Sequence, residues 1–115
     1  MELLCRGNIN LKELSEKLEL EEGEFLDLLG LFVKTCSSDL KLLESAIDKG
    51  DAPGVAGVAH SIKGAAIILG LTAISEFAQR IEVDALEKDL LGFTELVEGI
   101  KKELNWIVEK LETKG

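Results

Sequence analysis

Proline and histidine each occur once in this 115-residue chain, and cysteine only twice. With Pro53 as the single proline, almost nothing interrupts long helices, and a composition led by Leu, Glu, Lys, Ala and Ile favours them. Cys5 and Cys36 have no CxxC spacing and no histidine near them in sequence, which argues against a zinc site and gives no support to a disulfide. Two reduced thiols are expected, one terminal and one packed in a helix. Positive charge is scarce as well. Thirteen Lys and Arg stand against 22 Asp and Glu, a formal net charge of −9 at pH 7 that argues against nucleic acid or an anionic membrane as partner. Residues 1 to 30 hold eight acidic and three basic residues, the pattern of a solvated helical face.

The start, "MELLCRGNINLKEL", lacks the basic segment and apolar stretch of a secretory leader, so the expected compartment is the cytoplasm. Residues 52 to 71 come nearest to a membrane span, but they carry His60 and Lys63 near the middle, Pro53 and four glycines. A central lysine costs ~2.5–3.5 kcal/mol on insertion scales, so a buried central helix is expected instead. No internal repeat, linker, low-complexity tract or strand alternation breaks the chain.

What is present is helical periodicity. A short helix is expected over about residues 10 to 19. A long one follows, with Phe25, Leu28, Leu29, Phe32, Val33, Cys36, Leu40, Leu43 and Ile47 on one apolar stripe. Gly50 suits the left-handed position that ends it, Asp51 can cap the next helix, and Pro53 falls in its first turn. That third helix runs to about Leu69, with Gly70 as its stop. Thr72 is expected to cap a fourth carrying Ile74, Phe77, Ala78, Ile81, Ala85 and Leu86. Asp89 is expected to cap a last one carrying Phe93, Leu96, Val97, Ile100, Leu104, Ile107 and Leu111, with Trp106 at the stripe's edge. Four long amphipathic helices with connections of two to four residues predict an all-α, up-down antiparallel four-helix bundle with a short extra N-terminal helix. Residues 1–115 form a single domain on this reading, its core bundle spanning about 20–112.

The histidine lies in "AHSIKGAAIILGL", residues 59 to 71. At about 100° per residue, Val55, Val58, Ile62, Ala65 and Leu69 form the core face of that helix. Pro53, Ala56, Gly57, Lys63, Gly64 and Ile67 fall within about 60° of His60. Each mid-helix glycine costs ~1 kcal/mol relative to alanine, so Gly57 and Gly64 call for a reason. Bare helix on both flanks lets another protein reach the imidazole, and Ala56, Gly57 and Ile67 become candidate docking positions. Lys63, one turn away, can fold its ammonium back toward the ring. A neutral imidazole nitrogen can attack phosphorus, and the charged product would sit beside a cation. A lone histidine is commonly just a surface residue, but H-x-x-K-G arises by chance in only roughly one chain of this length in a hundred.

At these residues the chain resembles the histidine phosphotransfer (HPt) domains of bacterial two-component phosphorelays. The likeness rests on "AHSIKG", on Gly70 ten residues after His60 and on the preceding "AIDKGD". It implies that His60 accepts a phosphoryl group and exchanges it with the aspartate of a response-regulator receiver domain. It also implies that Lys63 and Gly64 support the phosphorylated ring, and that Mg2+ comes with the partner, leaving this chain without a cofactor or metal. Twenty-two residues after His60, where many relay members have glutamine, stands Glu82, as in the phosphotransfer domain of chemotaxis-type kinases. Glu82, with Gln79 one turn earlier as alternative, is the expected partner of the imidazole. No Gly-rich nucleotide loop is present, so a monomeric phosphocarrier without an ATP site of its own is expected. Two alternatives stay open: a substrate domain phosphorylated from ATP in trans by a histidine kinase, and a helical bundle that only binds partners.

Overall fold

In the computed structural model, residue 16, residues 18–87 and residues 92–114 are described. They form four α-helices: α1 (Glu22–Asp48), α2 (Ala52–Ile68), α3 (Thr72–Leu86) and α4 (Phe93–Lys114). Each packs on two others, α1 on α2 and α4, and α3 on α2 and α4. The diagonal pairs do not meet, which is the closed ring of an up-down bundle. The expected short N-terminal helix, the Asp89 cap and Cys5 lie outside the described residues.

The helix ends are set by side chains and glycines the sequence displays. Glu24 accepts a hydrogen bond from the Glu21 N–H at 3.0 Å, closing the start of α1. At its end Gly50 takes φ +66, so its N–H reaches the Ile47 carbonyl and the Asp51 N–H the Ala46 carbonyl. Asp51 then caps α2 by accepting from the Gly54 N–H at 3.1 Å, with Pro53 in the first turn. Gly70, at φ +75, closes α2 with the same pair of bonds, to Ile67 and Ala66. One expectation needs correction: Thr72 is the first residue of α3, not its cap, because the cap position falls on the buried Leu71.

Apolar side chains from all four helices fill the centre, among them Phe25, Leu29 and Leu43 of α1, Val55 and Ile62 of α2, Ile74 and Ile81 of α3, and Phe93, Ile100 and Ile107 of α4. Cys36 belongs to this core, and burial pushes its thiol up to about 12, so it stays protonated. Trp106 is half-buried at the stripe's edge, with the Lys110 ammonium 5.2 Å from its ring centre. Among the described residues no helix is long and apolar enough to cross a membrane.

Gly99 of α4 marks a close approach. A Cβ built there would stand 2.6 Å from Phe77 Cζ on α3. Gly99→Ala is therefore expected to destabilise the bundle by up to about 2 kcal/mol in urea unfolding, because moving a wedged ring costs ~1–3 kcal/mol and alanine regains ~1 kcal/mol in helix propensity.

Candidate functional site

Helix α2 runs along the bundle with α1 on one flank and α3 on the other. Its buried positions are Val55, Ala56, Ala59, Ile62, Ala66 and the C-cap Leu69. His60 points out of this arc and its side chain is 67% exposed. Position 56 corrects the helical projection: Ala56 is 8% exposed and belongs to the core cluster, so it offers no docking surface. The projection assumed burial on one side of α2, whereas two flanking helices widen the covered arc.

The imidazole is held from α3. Glu82 Oε2 lies 3.1 Å from His60 Nδ1. The other carboxylate oxygen, Oε1, lies 2.8 Å from Lys63 Nζ. That contact is an ion pair between helices α2 and α3. The Lys63 ammonium goes to Glu82, and the carboxylate bridges both side chains. Gln79 is exposed, and the bond to Nδ1 comes from Glu82. The Lys63 ammonium holds the Glu82 carboxyl below its ordinary value near 4.5; burial opposes this and the contact with His60 assists it. Because an ionised carboxylate only accepts, Nδ1 must be the donor, and in the neutral ring this leaves the lone pair on Nε2.

A depressed carboxylate pKa stabilises the fold above the unfolded value and loses that contribution as pH falls through the folded one. Wild type is therefore expected to exceed Glu82→Gln in stability at neutral pH, with the gap closing below about pH 4.5. Urea titrations at a series of pH values check this.

Around the imidazole the surface is bare. Gly57 is exposed and Gly64 half-buried, and a Cβ added at either would meet nothing within 4 Å. Neither glycine is explained by packing inside the bundle. Ile67 is exposed, as expected of a docking position. The sequence reading missed the neighbouring half of this face. Leu28, Leu31 and Thr35 of α1, with Ala65 and Ile68 of α2, line an apolar groove, and Ile68 is 69% exposed. Gly64 and Ile68 fall on the same side of α2 as His60 at about 100° per residue. Leu28 had been placed on the core stripe; Leu31, outside that stripe, was the signal that an apolar surface lay there. Among the described residues, no group of three or more His, Cys, Asp or Glu side chains is placed to hold a metal ion.

A four-helix bundle that shows solvent one histidine, its inner nitrogen tied to a carboxylate, has the form of a phosphotransfer module. The family model described as "Hpt domain" matches residues 27–111. Among solved structures, histidine-containing phosphotransfer protein B (HptB) from Pseudomonas aeruginosa PAO1 is similar, with a TM-score of 0.78 and 26% identity over 88% of each chain. No curated protein matches. The chain belongs to the Hpt domain family and is a histidine phosphocarrier of two-component phosphorelays.

Proposed function

We propose that His60 carries the phosphoryl group and exchanges it with the aspartate of a response-regulator receiver domain. The observation behind this is a 67% exposed ring whose Nδ1 lies 3.1 Å from Glu82 Oε2, an arrangement in which the neutral imidazole presents its lone pair on Nε2. In the reaction the Nε2 lone pair forms the N–P bond as the P–O bond of the aspartyl phosphate breaks, and the electron pair leaves with the donor carboxylate. The ring gains a positive charge, which Glu82 balances through Nδ1–H. Mg2+ is supplied by the receiver, and the chain adds neither metal nor nucleotide. The apolar groove of Leu28, Leu31 and Ile68, continued by Gly64, Gly57 and Ile67, is the surface on which the receiver docks. The protein acts as a cytoplasmic monomer, with 1–115 as one domain and no catalysis of its own beyond carrying the group.

A second reading rests on Glu82 itself. A carboxylate on Nδ1 also suits phosphorylation from ATP by a histidine kinase in trans, as the resemblance to chemotaxis-type phosphotransfer domains suggested. Both donors are tested together. The protein is incubated with a phosphorylated receiver and Mg2+, or with a kinase core and ATP, and acid-labile, base-stable phosphate on this chain is followed and mapped. Fast labelling of His60 from the receiver supports the relay reading, and labelling from the kinase alone supports the second. Phosphate on another residue, or none from either donor, overturns both.

A further inference from the structure

Helix α1 carries a set of apolar side chains that the bundle leaves uncovered. Leu31 is 60% exposed, Leu42 59% and Leu28 40%. At about 100° per residue they share an arc of roughly 80° with Thr35 and Asp39, on the side of α1 that lines the groove against α2. Between Leu28 and Leu42, a length of about 21 Å, Asp39 is the one charge in this stripe. Two features of the α1–α2 hairpin set its height. The Asp51 N–H bonds the Ala46 carbonyl at the turn, and Thr35 and Ala65 line the groove together. Antiparallel helices of equal rise then bring Asp39 level with Val58 to Ser61, within a turn of His60.

The carboxylate is half-buried there and has no partner. Among the described residues it makes no hydrogen bond and no ion pair. The nearest lysines along its own helix, Lys34 and Lys41, lie about 140° and 160° round the axis. The side of α2 turned to α1 carries Gly57, Val58, Ser61 and Ala65, none of them ionisable. Lys63 is held by Glu82 on the α3 side. Burial therefore lifts the Asp39 carboxyl above its ordinary value near 3.8, with no cation to offset the lift. At neutral pH the free domain carries a charge that costs it stability.

We propose that Asp39 is a specificity-determining residue of the docking face: it selects receiver domains that set a lysine or arginine against it where the apolar stripe is covered. The proposal rests on the docking surface assigned above and deepens it by naming the chemistry of the partner. Covering Leu31 and Leu42 would take the remaining water from Asp39. A receiver with an apolar or acidic side chain at that place would leave a buried, unpaired carboxylate, a cost that rejects it. A receiver with a cation there satisfies a charge that the fold has already partly desolvated, so less is lost on docking. The chain's net charge of −9 draws such a basic face in from a distance.

The sign of one substitution tests this. Receiver domains that bind wild type are titrated by calorimetry into wild type and a series at position 39. Asp39→Asn and Asp39→Leu should each bind about tenfold more weakly, because the receiver's cation loses its partner, and Asp39→Lys about a hundredfold. In urea unfolding Asp39→Asn should be at least as stable as wild type, so its loss is not one of folding. Asp48→Asn removes the same charge from the opposite side of α1 and should bind as wild type does. Binding of Asp39→Asn or Asp39→Leu as tight as wild type or tighter would overturn the proposal, since a stripe that meets only apolar side chains gains from losing the charge. An equal loss in Asp48→Asn would overturn it too, by making the effect one of net charge. A receiver that binds wild type but puts no phosphate on His60 would overturn the carrier reading instead, and the series would still decide the role of Asp39. If no receiver binds wild type, both fall.

Discussion

His60→Gln is expected to take up no phosphate from any donor while folding as wild type does. The loss is complete because no other side chain in the chain is an imidazole, and glutamine offers an amide whose nitrogen has no lone pair free to attack phosphorus. The fold is spared because the ring is 67% exposed and, among the described residues, its hydrogen-bond partner is the Glu82 carboxylate. Stability should change by within about 0.5 kcal/mol. Glutamine can still donate from its amide to Glu82 Oε2, so the Lys63–Glu82 pair survives and the docking face keeps its shape. The variant therefore separates chemistry from recognition: binding to a receiver, measured by titration calorimetry, should remain near wild type while labelling disappears. Residual acid-labile phosphate on His60→Gln would place the acceptor elsewhere, and lost binding would mean that the imidazole is part of the docking contact.

How much of this was legible beforehand follows from which physical signals are local. The bundle was, because each helix carries its own apolar period and its own stops. Gly50, Gly70 and Asp51 act within a few residues of themselves, and their geometry could be read without knowing the partners of α2. The exposure of His60 and the openness at Gly57 and Gly64 followed from the same projection. The failures share one cause, that flanking helices decide what a projection cannot. Ala56 is covered because α2 has neighbours on two sides, and Leu28 is uncovered because the α1–α2 seam is not filled there. Glu82 could be matched to His60 by its spacing, but nothing along the chain says that Lys63 joins the same carboxylate. That contact depends on the depth at which α3 packs against α2. Residue identity was thus enough to suggest a charged group beside the ring, and the packed structure was needed to say which side chain that group touches.

Gly64→Val is the second change with a large expected effect, and its direction separates two explanations of a mid-helix glycine. If Gly64 served close packing inside the bundle, valine would collide with a neighbour and the domain would lose stability. The space around it is empty to 4 Å, so the helix should instead gain a few tenths of a kcal/mol from replacing glycine. The branched side chain would then stand one turn from His60, on the side of α2 that also carries Ile68, in the path of any protein approaching Nε2. A displacement of about 1 Å in the reacting pair can cost about a hundredfold in rate, and phosphorylation of Gly64→Val by a receiver is expected to fall by at least that factor. A control lies in the same molecule. Gly30 on α1 is also exposed and has open space around it, but it is turned away from the groove by about 200° from Leu28, so Gly30→Val should leave labelling unchanged. A small phosphoryl donor needs no docking face, and it should label Gly64→Val nearly as well as wild type. Slow labelling from the small donor too would mean that valine disturbs the ring itself. Equal labelling of both proteins by the receiver would remove this face of α2 from the docking surface.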